Sequence, residues 1–203
     1  MTELLQAFLR RYARGQAAAV LPYLRGAPVL DLGAGEDYVA AALRREGAAW
    51  TCSVDVGPFR RAAGAYVTYD GARLPFRDGS FETTLLLLML HHAVAPEAVL
   101  EEALRVTRRR LIVMESVYRS RCERFWLDLL DGRFNARRHG GRMATPRLFR
   151  RPEEWRHLFE SRGLTVRATR CLGPRWERLI HHPLLFVLDR EPAAAPVVAC
   201  RAS

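Results

Sequence analysis

The sequence predicts an α/β fold in which helices cover both faces of a seven-stranded, mostly parallel sheet with an antiparallel hairpin at one edge. Short apolar segments alternate with helix-length amphipathic segments through most of the chain. Near the C-terminus, two strand-like segments follow each other without a helix-length segment between them, as antiparallel neighbours do. The length of 203 residues and the hydrophobic content of 49% suit one well-cored domain, predicted over residues 1–191.

The elements of this domain are predicted in order along the chain. Two helices, over residues 3–14 and 16–24, lead into the sheet. Strands are then expected at residues 28–32, 50–54, 65–68, 83–90, 111–114, 164–171 and 184–188. The fourth is almost wholly apolar, as a central strand covered on both faces should be. Helices are expected at residues 38–45 and 96–107, with a short one near Arg60.

The alternation stops after the fifth strand. Residues 119–162 are predicted to be helical and irregular, with breaks at Pro146 and Pro152. Residues 192–203 are rich in alanine, proline and valine, and they are predicted to form a flexible tail. We find no internal repeat that would indicate a second architecture.

The charge of the chain is strongly basic, with a formal net charge of +10. Such a charge alone indicates a polyanionic partner, but all 32 basic residues are arginine, which fits the codon usage of a GC-rich genome. Nucleic acid is therefore not the expected partner. Seven arginines and no acid lie between Arg133 and Arg151, which we interpret as a solvated basic face or as a pointer to an anionic substrate.

Cysteine usage and hydropathy bear on the compartment. The four cysteines are isolated and form no CxxC pair, so neither a disulfide framework nor a zinc site is expected. His181 and His182 match no recognised metal motif, and no metal is predicted. No run of eighteen apolar residues and no signal pattern is present, so the prediction is a cytoplasmic protein without a membrane span. The oligomeric state is left open.

A Gly-x-Gly turn, Gly33–Gly35, ends the first strand. Glycine lets the backbone bend tightly and lie against a ligand, and open α/β sheets bind ligands at the carboxyl ends of their strands. A dinucleotide-binding turn would place its third glycine at Tyr38, and Glu36 and Asp37 would repel a pyrophosphate. The turn therefore favours a cofactor without phosphate, with a ligand-free turn as the alternative.

An acid ends the second strand, in the sequence Val54-Asp55-Val56. A carboxylate twenty residues after Gly35 can accept two hydrogen bonds from a ribose diol. This pattern predicts an adenosine-containing ligand without choosing between cofactors. The alternative is that Asp55 caps the helix expected after Pro58.

The segment from Asp70 to His92 carries a family resemblance. It reads DGARLPFRDGSFE, followed by an apolar strand that ends in Leu-His-His. This order resembles the D-A-x-x-L-P-F-x-D-x-S-F-D segment of the class I methyltransferases typified by quinone-biosynthesis enzymes, and residues 30–37 are similar to their L-D-L-G-x-G-x-G motif. The resemblance covers roughly residues 25–190. It implies a Rossmann-like three-layer sandwich with S-adenosylmethionine as cofactor and S-adenosylhomocysteine as product.

For the adenosine part of the cofactor, the resemblance implies four contacts. Asp70 would accept a hydrogen bond from the adenine amino group, and the Gly71 backbone would meet the ring edge. Asp55, with its neighbour Val56, would hold the ribose.

For the methionine part, the resemblance implies that the backbone of Gly33, Ala34 and Gly35 lines the ligand, with Asp31 behind it. The Leu90 backbone and His91 would lie beside the transferable methyl group. The chain departs from the family at Asp37, which stands where the family has its third glycine, and this leaves room for a shifted or weakened cofactor site. It also lacks the usual Pro-Gly-Gly before the fifth strand, so a short loop is expected there.

His91 and His92 are the predicted catalytic residues, because they follow the strand end where the methyl group and the acceptor should meet and a histidine titrates near neutral pH. A base is needed only where the acceptor must lose a proton. Alternatively, one is packed in the core and the other merely lines the cleft. Glu115 either faces the cleft or acts as a helix cap or partner of Arg119. Residues 116–160 are the predicted substrate cap, in which the residues that would line an acceptor pocket, or belong to the core, are Tyr118, Phe125, Trp126, Phe134 and His139.

The sequence thus predicts an enzyme that transfers a methyl group from S-adenosylmethionine to a small-molecule acceptor, with an anionic acceptor as one option. The alternatives are a methyltransferase that acts on nucleic acid or protein, and a non-catalytic member that binds S-adenosylmethionine. An NAD-linked oxidoreductase is disfavoured by Tyr38 and by the edge hairpin.

Overall fold

The structure, a computed structural model, describes residues 3–47, 50–139, 146–172 and 182–190, with only the backbone of residues 134–139. The strands are β1 (Val29–Leu32), β2 (Thr51–Asp55), β3 (Ala65–Thr68), β4 (Phe81–Leu87), β5 (Thr107–Val117), β6 (Leu164–Cys171) and β7 (His182–Arg190). The helices are α1 (Glu3–Val20), α2 (Tyr38–Arg45), α3 (Pro96–Val106), α4 (Arg121–His139) and α5 (Pro152–Glu160), with 3₁₀ turns at Leu21–Tyr23 and Leu90–His92. The tail predicted at residues 192–203 lies outside the described residues.

One seven-stranded sheet organises these elements, in the order β3-β2-β1-β4-β5-β7-β6. Strands β1 to β5 are parallel, whereas β7 is antiparallel to both β5 and β6. The strand order reverses between β1 and β4, which makes the carboxyl ends of these two strands the place where open α/β sheets bind ligands. The predicted fold class is confirmed, including the antiparallel edge hairpin.

Helices cover both faces of the sheet, and successive side chains of β1 pack against helices on opposite faces. Val29 packs with residues of α1 and α2, among them Ala17 and Leu43. Leu30 and Leu32 point to the opposite face, where they join a core built with α3 and α5. Three layers result. None of the helices in the described part of the chain has the length and apolar character needed to cross a bilayer.

The prediction of two separate N-terminal helices is wrong, because α1 is one continuous helix that includes Gly15. Its buried residues Leu9, Ala13, Ala17 and Val20 keep one helical stripe across the glycine. A glycine inside a helix costs about 1 kcal/mol relative to alanine, and burial of this continuous stripe outweighs that cost.

The helix expected near Arg60 is also absent from the described chain. Residues 56–64 are irregular, and the Glu36 carbonyl accepts hydrogen bonds from the backbone of Arg61 and Ala62. These contacts satisfy backbone groups of the segment without a helix.

Strand β4 ends three residues earlier than predicted, and β5 begins earlier. Leu88 has a positive φ of 57°, which ends the extended conformation before the Leu90–His92 turn. The short loop expected before β5 is missing, because α3 ends at Val106 and β5 starts at Thr107. In β5, Arg110 is buried and donates to both carboxylate oxygens of Asp189 on β7 at 2.6 and 2.9 Å, which ties the edge hairpin to the sheet.

Candidate functional site

A cavity of about 630 Å³ opens where the carboxyl ends of β1, β2 and β4 meet α1, a size usual for small-molecule sites. Of the residues predicted from sequence, those that line it are Asp31, Gly33, Ala34, Gly35, Asp55, Val56, Asp70, Gly71 and His92. Leu90 and His91 are not among the lining residues. The expectation that these two lie beside a bound ligand therefore differs from where the structure places them.

The Gly-x-Gly turn forms part of the cavity wall and requires glycine at position 33. Gly33 has a φ of 75°, and a Cβ there would lie 2.8 Å from Cβ and Cγ of Met89. The backbone N–H groups of Gly33 and Ala34 both donate to the Val54 carbonyl, at 2.8 and 3.1 Å. The turn is thus fixed against the end of β2 and presents bare backbone to the cavity.

Asp37, which replaces the family's third glycine, adopts the glycine-like left-handed conformation with a φ of 67°. Aspartate tolerates this conformation better than most residues. Its buried carboxylate accepts hydrogen bonds from Ser53 Oγ and from Arg44 Nη2, and it does not line the cavity. The side chain therefore packs between α2 and β2 and does not enter the cavity, where it was expected to shift or weaken cofactor binding.

Asp55 is 8% exposed and joins the glycine turn to the end of β2. Its Oδ2 accepts a hydrogen bond of 2.8 Å from the Gly35 N–H, and its Oδ1 accepts one of 2.7 Å from the Val56 N–H. An ionised carboxylate is an acceptor of several hydrogen bonds, which is the chemistry that a ligand hydroxyl requires. On the other side of the turn, the Tyr66 hydroxyl lies within hydrogen-bonding distance of the Gly35 and Gly57 carbonyls, a support that no sequence motif indicated.

Asp70 begins an Asx turn at the cavity mouth. Its Oδ1 accepts hydrogen bonds from the backbone of Ala72 and Arg73, at 2.9 and 3.0 Å. These bonds, of which that from Arg73 contributes most, lower the pKa of this exposed carboxyl below its ordinary value. The carboxylate is therefore ionised and oriented, and the neighbouring Gly71, with a φ of 82°, follows it along the wall.

Arg105 on α3 holds the loop that carries Asp70. Its guanidinium donates to both oxygens of Glu102, at 2.9 and 2.8 Å, and to Asp78 at 2.8 Å. It also donates to the Leu74 carbonyl at 3.0 Å, while Glu102 accepts from the Leu74 N–H at 2.9 Å. The Leu-Pro-Phe-x-Asp segment is thus fixed against α3, and Arg105 was missed because it lies outside the segment.

Asp31 is a buried carboxylate at the cavity wall, only 2% exposed. Burial, and then the negative charges of Asp37 and Asp55, raise its pKa from 3.8 to about 7. Its Oδ2 has no hydrogen-bond partner among the described residues. A buried acid with an unsatisfied oxygen at a cavity wall suits a cationic ligand group, because the cation would compensate the carboxylate charge.

His91 and His92 follow β4 in the 3₁₀ turn, and the structure gives them different positions. His91 is 2% exposed and its Nδ1 lies 2.5 Å from Glu115 Oε2, while Glu115 Oε1 accepts from the backbone N–H groups of Met89 and Leu90. Glu115 is therefore a buried support of this turn, and the predicted pairing with Arg119 is wrong. Burial alone would lower the pKa of His91, but the charges of Glu115 and Asp131 raise it to about 9.

Asp131, on α4, brings an acid to the same two imidazoles. Its Oδ1 lies 3.6 Å from His92 Nε2 and 3.9 Å from His91 Nε2. Among the residues that the structure describes, these three form the group whose donor atoms could hold a metal ion. No sequence motif indicated the cluster, because Asp131 belongs to a helix far along the chain that folds back over the turn.

The predicted cap contributes less to the cavity than expected, and α1 contributes more. From residues 116–160 only Pro146 is a lining residue in the described chain, whereas α1 supplies Leu9, Tyr12, Ala13 and Gln16. Tyr118 packs in a buried cluster with Leu127 and Phe149, and Phe125 and Trp126 are exposed. The side chains of Phe134 and His139, like His181, lie outside the described residues.

The charged residues that line the cavity are all acidic, within the described chain: Asp31, Glu36, Asp55 and Asp70. No arginine from the described part of the Arg133–Arg151 segment reaches the lining. The cavity itself therefore gives no support for an anionic ligand, and its acids favour a ligand with a positive charge.

Comparison with known proteins identifies the kind of domain that has this site. Residues 30–113 match a family model described as a methyltransferase domain. Over 112 residues the chain is 37% identical to a demethylmenaquinone methyltransferase of Mycolicibacterium paratuberculosis, an alignment that covers 52% of this chain and 48% of the relative. The chain thus spans about half the length of this curated relative, and about a third of the length of an uncharacterized mycobacterial methyltransferase.

Solved structures share the fold over nearly the whole chain. A chain of the Haloferax volcanii complex between the Trm112 methyltransferase activator and a methyltransferase has a TM-score of 0.71 at 18% identity, covering 92% of both chains. Magnesium protoporphyrin IX methyltransferase from Synechocystis PCC 6803, solved with bound S-adenosylhomocysteine, has a TM-score of 0.62 at 17% identity and covers 94% of this chain and 88% of its own.

Proposed function

Because this chain carries a class I S-adenosylmethionine-dependent methyltransferase domain, we propose that it transfers a methyl group from S-adenosylmethionine to a small, largely apolar acceptor. One observation carries the proposal: a bare-backbone turn and the acids Asp31, Asp55 and Asp70 line a single cavity at the strand ends. This arrangement matches a ligand that has an adenosine at one end and positive charges at the other.

At the adenosine end, Asp55 accepts hydrogen bonds from the ribose hydroxyls, with its carboxylate held at the cavity wall by the N–H groups of Gly35 and Val56. Asp70 accepts from the adenine amino group, and its Asx turn keeps it in place for that contact. Glycine at position 71 allows the backbone to meet the ring edge.

At the methionine end, the turn Gly33–Gly35 lines the chain of the cofactor, and Asp31 pairs with its α-ammonium group. The unsatisfied Oδ2 of Asp31 supports this pairing, since a buried acid is stabilised by an ion pair with a bound cation. When bound, S-adenosylmethionine supplies an activated methyl group, and the residues around it align the acceptor and exclude water.

On the acceptor side, we expect His92 rather than His91 to touch the substrate, because only His92 of this pair lines the cavity. The same cavity has a mainly apolar wall, to which Leu9 and Ala13 of α1 and the residues Val94 and Val99 contribute. These residues support an apolar acceptor, as does the name of the demethylmenaquinone methyltransferase relative.

The cofactor part of the proposal is tested by calorimetric titration with S-adenosylmethionine, S-adenosylhomocysteine and NAD. We expect binding of the first two only. Asp70→Ala should weaken the binding of both by roughly tenfold or more, because it removes a charge-assisted hydrogen bond to the cofactor. Glu153→Ala, which removes an exposed acid from α5, is the charge-matched control and should leave affinity unchanged. Tight NAD binding, or equal affinity in the Asp70→Ala variant, would refute the assignment.

The acceptor part needs a separate screen with a labelled methyl donor and a panel of phenols, quinols, amines, nucleic acid and protein. Methylation of an apolar small molecule is expected. Labelling of RNA or protein alone, with a steep dependence on salt, would show instead that the acceptor is a macromolecule.

A further inference from the structure

Two histidines of the 3₁₀ turn and an aspartate of α4 meet beside the cavity, and His92 is the one of the three that lines it. We propose that His91, His92 and Asp131 bind a divalent transition-metal ion, with Zn²⁺ as the representative ion. One donor atom from each of the three lies within 4.8 Å of the other two. Zinc binds imidazole nitrogen and carboxylate oxygen at about 2.0–2.2 Å, which places tetrahedral ligands about 3.4 Å apart. The 3.6 Å between His92 Nε2 and Asp131 Oδ1 needs only a small contraction to reach this separation.

Glu115 gives the cluster a further feature of metal sites, a carboxylate that orients one of the histidine ligands. Metal-binding histidines usually donate their other ring N–H to a carboxylate, which fixes the tautomer and the ring orientation. His91 Nδ1 has this partner in Glu115 Oε2 at 2.5 Å, so Nε2, which lies 3.9 Å from Asp131 Oδ1, is the ring nitrogen that would bind the ion. Glu115 is itself anchored by the backbone N–H groups of Met89 and Leu90.

The position of His91 is fixed by further contacts. Its carbonyl accepts a hydrogen bond of 2.8 Å from the Leu148 N–H. The ring of Phe149 stacks on the imidazole with a centroid separation of 4.7 Å. The segment after α4 therefore holds the turn from one side while Glu115 holds it from the other, which is the rigidity that a preformed site needs.

The donor set and the charge indicate the class of ion. Two imidazoles and one carboxylate suit Zn²⁺, Co²⁺, Ni²⁺ or Fe²⁺, whereas Mg²⁺ and Ca²⁺ prefer oxygen ligands. With neutral imidazoles, Glu115 and Asp131 leave two negative charges in a cluster whose His91 and Glu115 side chains are 3% and 0% exposed. A divalent cation would balance both charges.

His92 also lines the cavity, so an ion held there would lie at its wall. Three protein ligands leave a coordination position for water or for an oxygen of a bound molecule. If the proposed methyl transfer is correct, this oxygen belongs to the acceptor; this last step alone rests on the proposed function.

The test is metal binding itself, measured without S-adenosylmethionine. Tag-free protein, treated with a chelator and dialysed, is titrated with Zn²⁺ by calorimetry and with Co²⁺ by visible absorption. We expect one tightly bound ion per chain, a Co²⁺ spectrum typical of nitrogen and oxygen ligands, and a rise in melting temperature with Zn²⁺. Asp131→Asn should weaken binding at least tenfold and remove the Co²⁺ spectrum while the circular dichroism stays native.

Asp128→Asn is the matched control, because Asp128 lies on the same helix, contacts Arg124 and Arg147, and is not part of the cluster. It should bind Zn²⁺ like the unmodified protein. His92→Asn provides a second variant if Asp131→Asn does not fold. Absence of stoichiometric binding, or equal loss in the Asp128 and Asp131 variants, would overturn the site and would leave the cofactor proposal untouched.

Discussion

Replacing Asp31 by asparagine should make the ligand-free protein more stable at pH 8 and weaken S-adenosylmethionine binding at the same pH. The pKa of Asp31 is raised from 3.8 to about 7, first by burial and then by the charges of Asp37 and Asp55. The folded protein therefore holds a proton at this site between about pH 4 and 7 that the unfolded chain has released. Stability must fall as the pH rises through that window.

The magnitude follows from the shift. About three pKa units at 1.36 kcal/mol each give a cost on the order of 4 kcal/mol for the ionised carboxylate above pH 7. The asparagine side chain is neutral at every pH and does not incur this cost. At pH 5 the Asp31→Asn variant should already be the more stable by about 1.5–2 kcal/mol, and at pH 8 this difference should reach about 4 kcal/mol.

Ligand binding should show the opposite preference. The α-ammonium of S-adenosylmethionine stabilises the ionised form of Asp31, so binding to the unmodified protein releases a proton near pH 6 and tightens as the pH rises toward 8. The Asp31→Asn variant should lose this pH dependence. At pH 8 it should bind about 10- to 150-fold more weakly, as expected for the loss of a charge-assisted contact.

Two measurements check the reasoning. Denaturant unfolding followed by circular dichroism, at pH 5 to 8.5, gives the free energy of unfolding of both proteins. The difference between the two proteins removes the contribution of other titrating groups such as His91. Calorimetry in buffers of different ionisation enthalpy counts the protons released. Parallel stability curves, or the same pH dependence of binding in both proteins, would refute the role given to Asp31.

Two further substitutions probe the rest of the site. Gly33→Ala places a Cβ 2.8 Å from Met89 in a backbone with a φ of 75°, so we expect stability to fall by about 2–3 kcal/mol and cofactor binding to be lost. Gly79→Ala controls for backbone strain alone, because its φ is 62° and no atom lies within 4 Å of the new Cβ. An equal loss of stability in the Gly79→Ala variant would contradict the steric argument. Arg105→Gln removes most of the contacts that hold the loop carrying Asp70, so the melting temperature and the cofactor affinity should both fall; affinity unchanged in a folded variant would show that the loop needs no such support.

The fold could be predicted because the patterns that specify it are local. Apolar strand-like segments and amphipathic helix-like segments alternate in the sequence. The sequence has no helix-length amphipathic segment before the last strand, and this indicates the hairpin. Element boundaries were less predictable where a distant contact decides them. The helix expected near Arg60 gives way to backbone hydrogen bonds with Glu36, and β4 stops at Leu87 because Leu88 takes a left-handed conformation.

The candidate site, like the fold, could be predicted only where its residues lie in local motifs. The glycine turn, Asp55 and Asp70 were found because each lies in a short motif at a strand end, and they line one cavity. Tyr66, Arg105 and Asp131 were missed because each acts on a segment distant in sequence, so no spacing rule applies. The basic Arg133–Arg151 segment was interpreted as a solvated face or as a pointer to an anionic substrate, and the described cavity lining, which carries acids and no arginine, does not support the second interpretation.

Glu115 explains why the two adjacent histidines have different positions. A left-handed leucine costs about 1–2 kcal/mol, and the hydrogen bonds that Glu115 accepts from Met89 and Leu90 offset that cost at Leu88. The bend that results directs the Met89 side chain into the space that Gly33 leaves without a Cβ. It also turns His91 inward onto Glu115 and leaves His92 at the cavity wall. The shape of the cofactor turn and the orientation of the histidines therefore depend on one buried carboxylate, which belongs to neither motif.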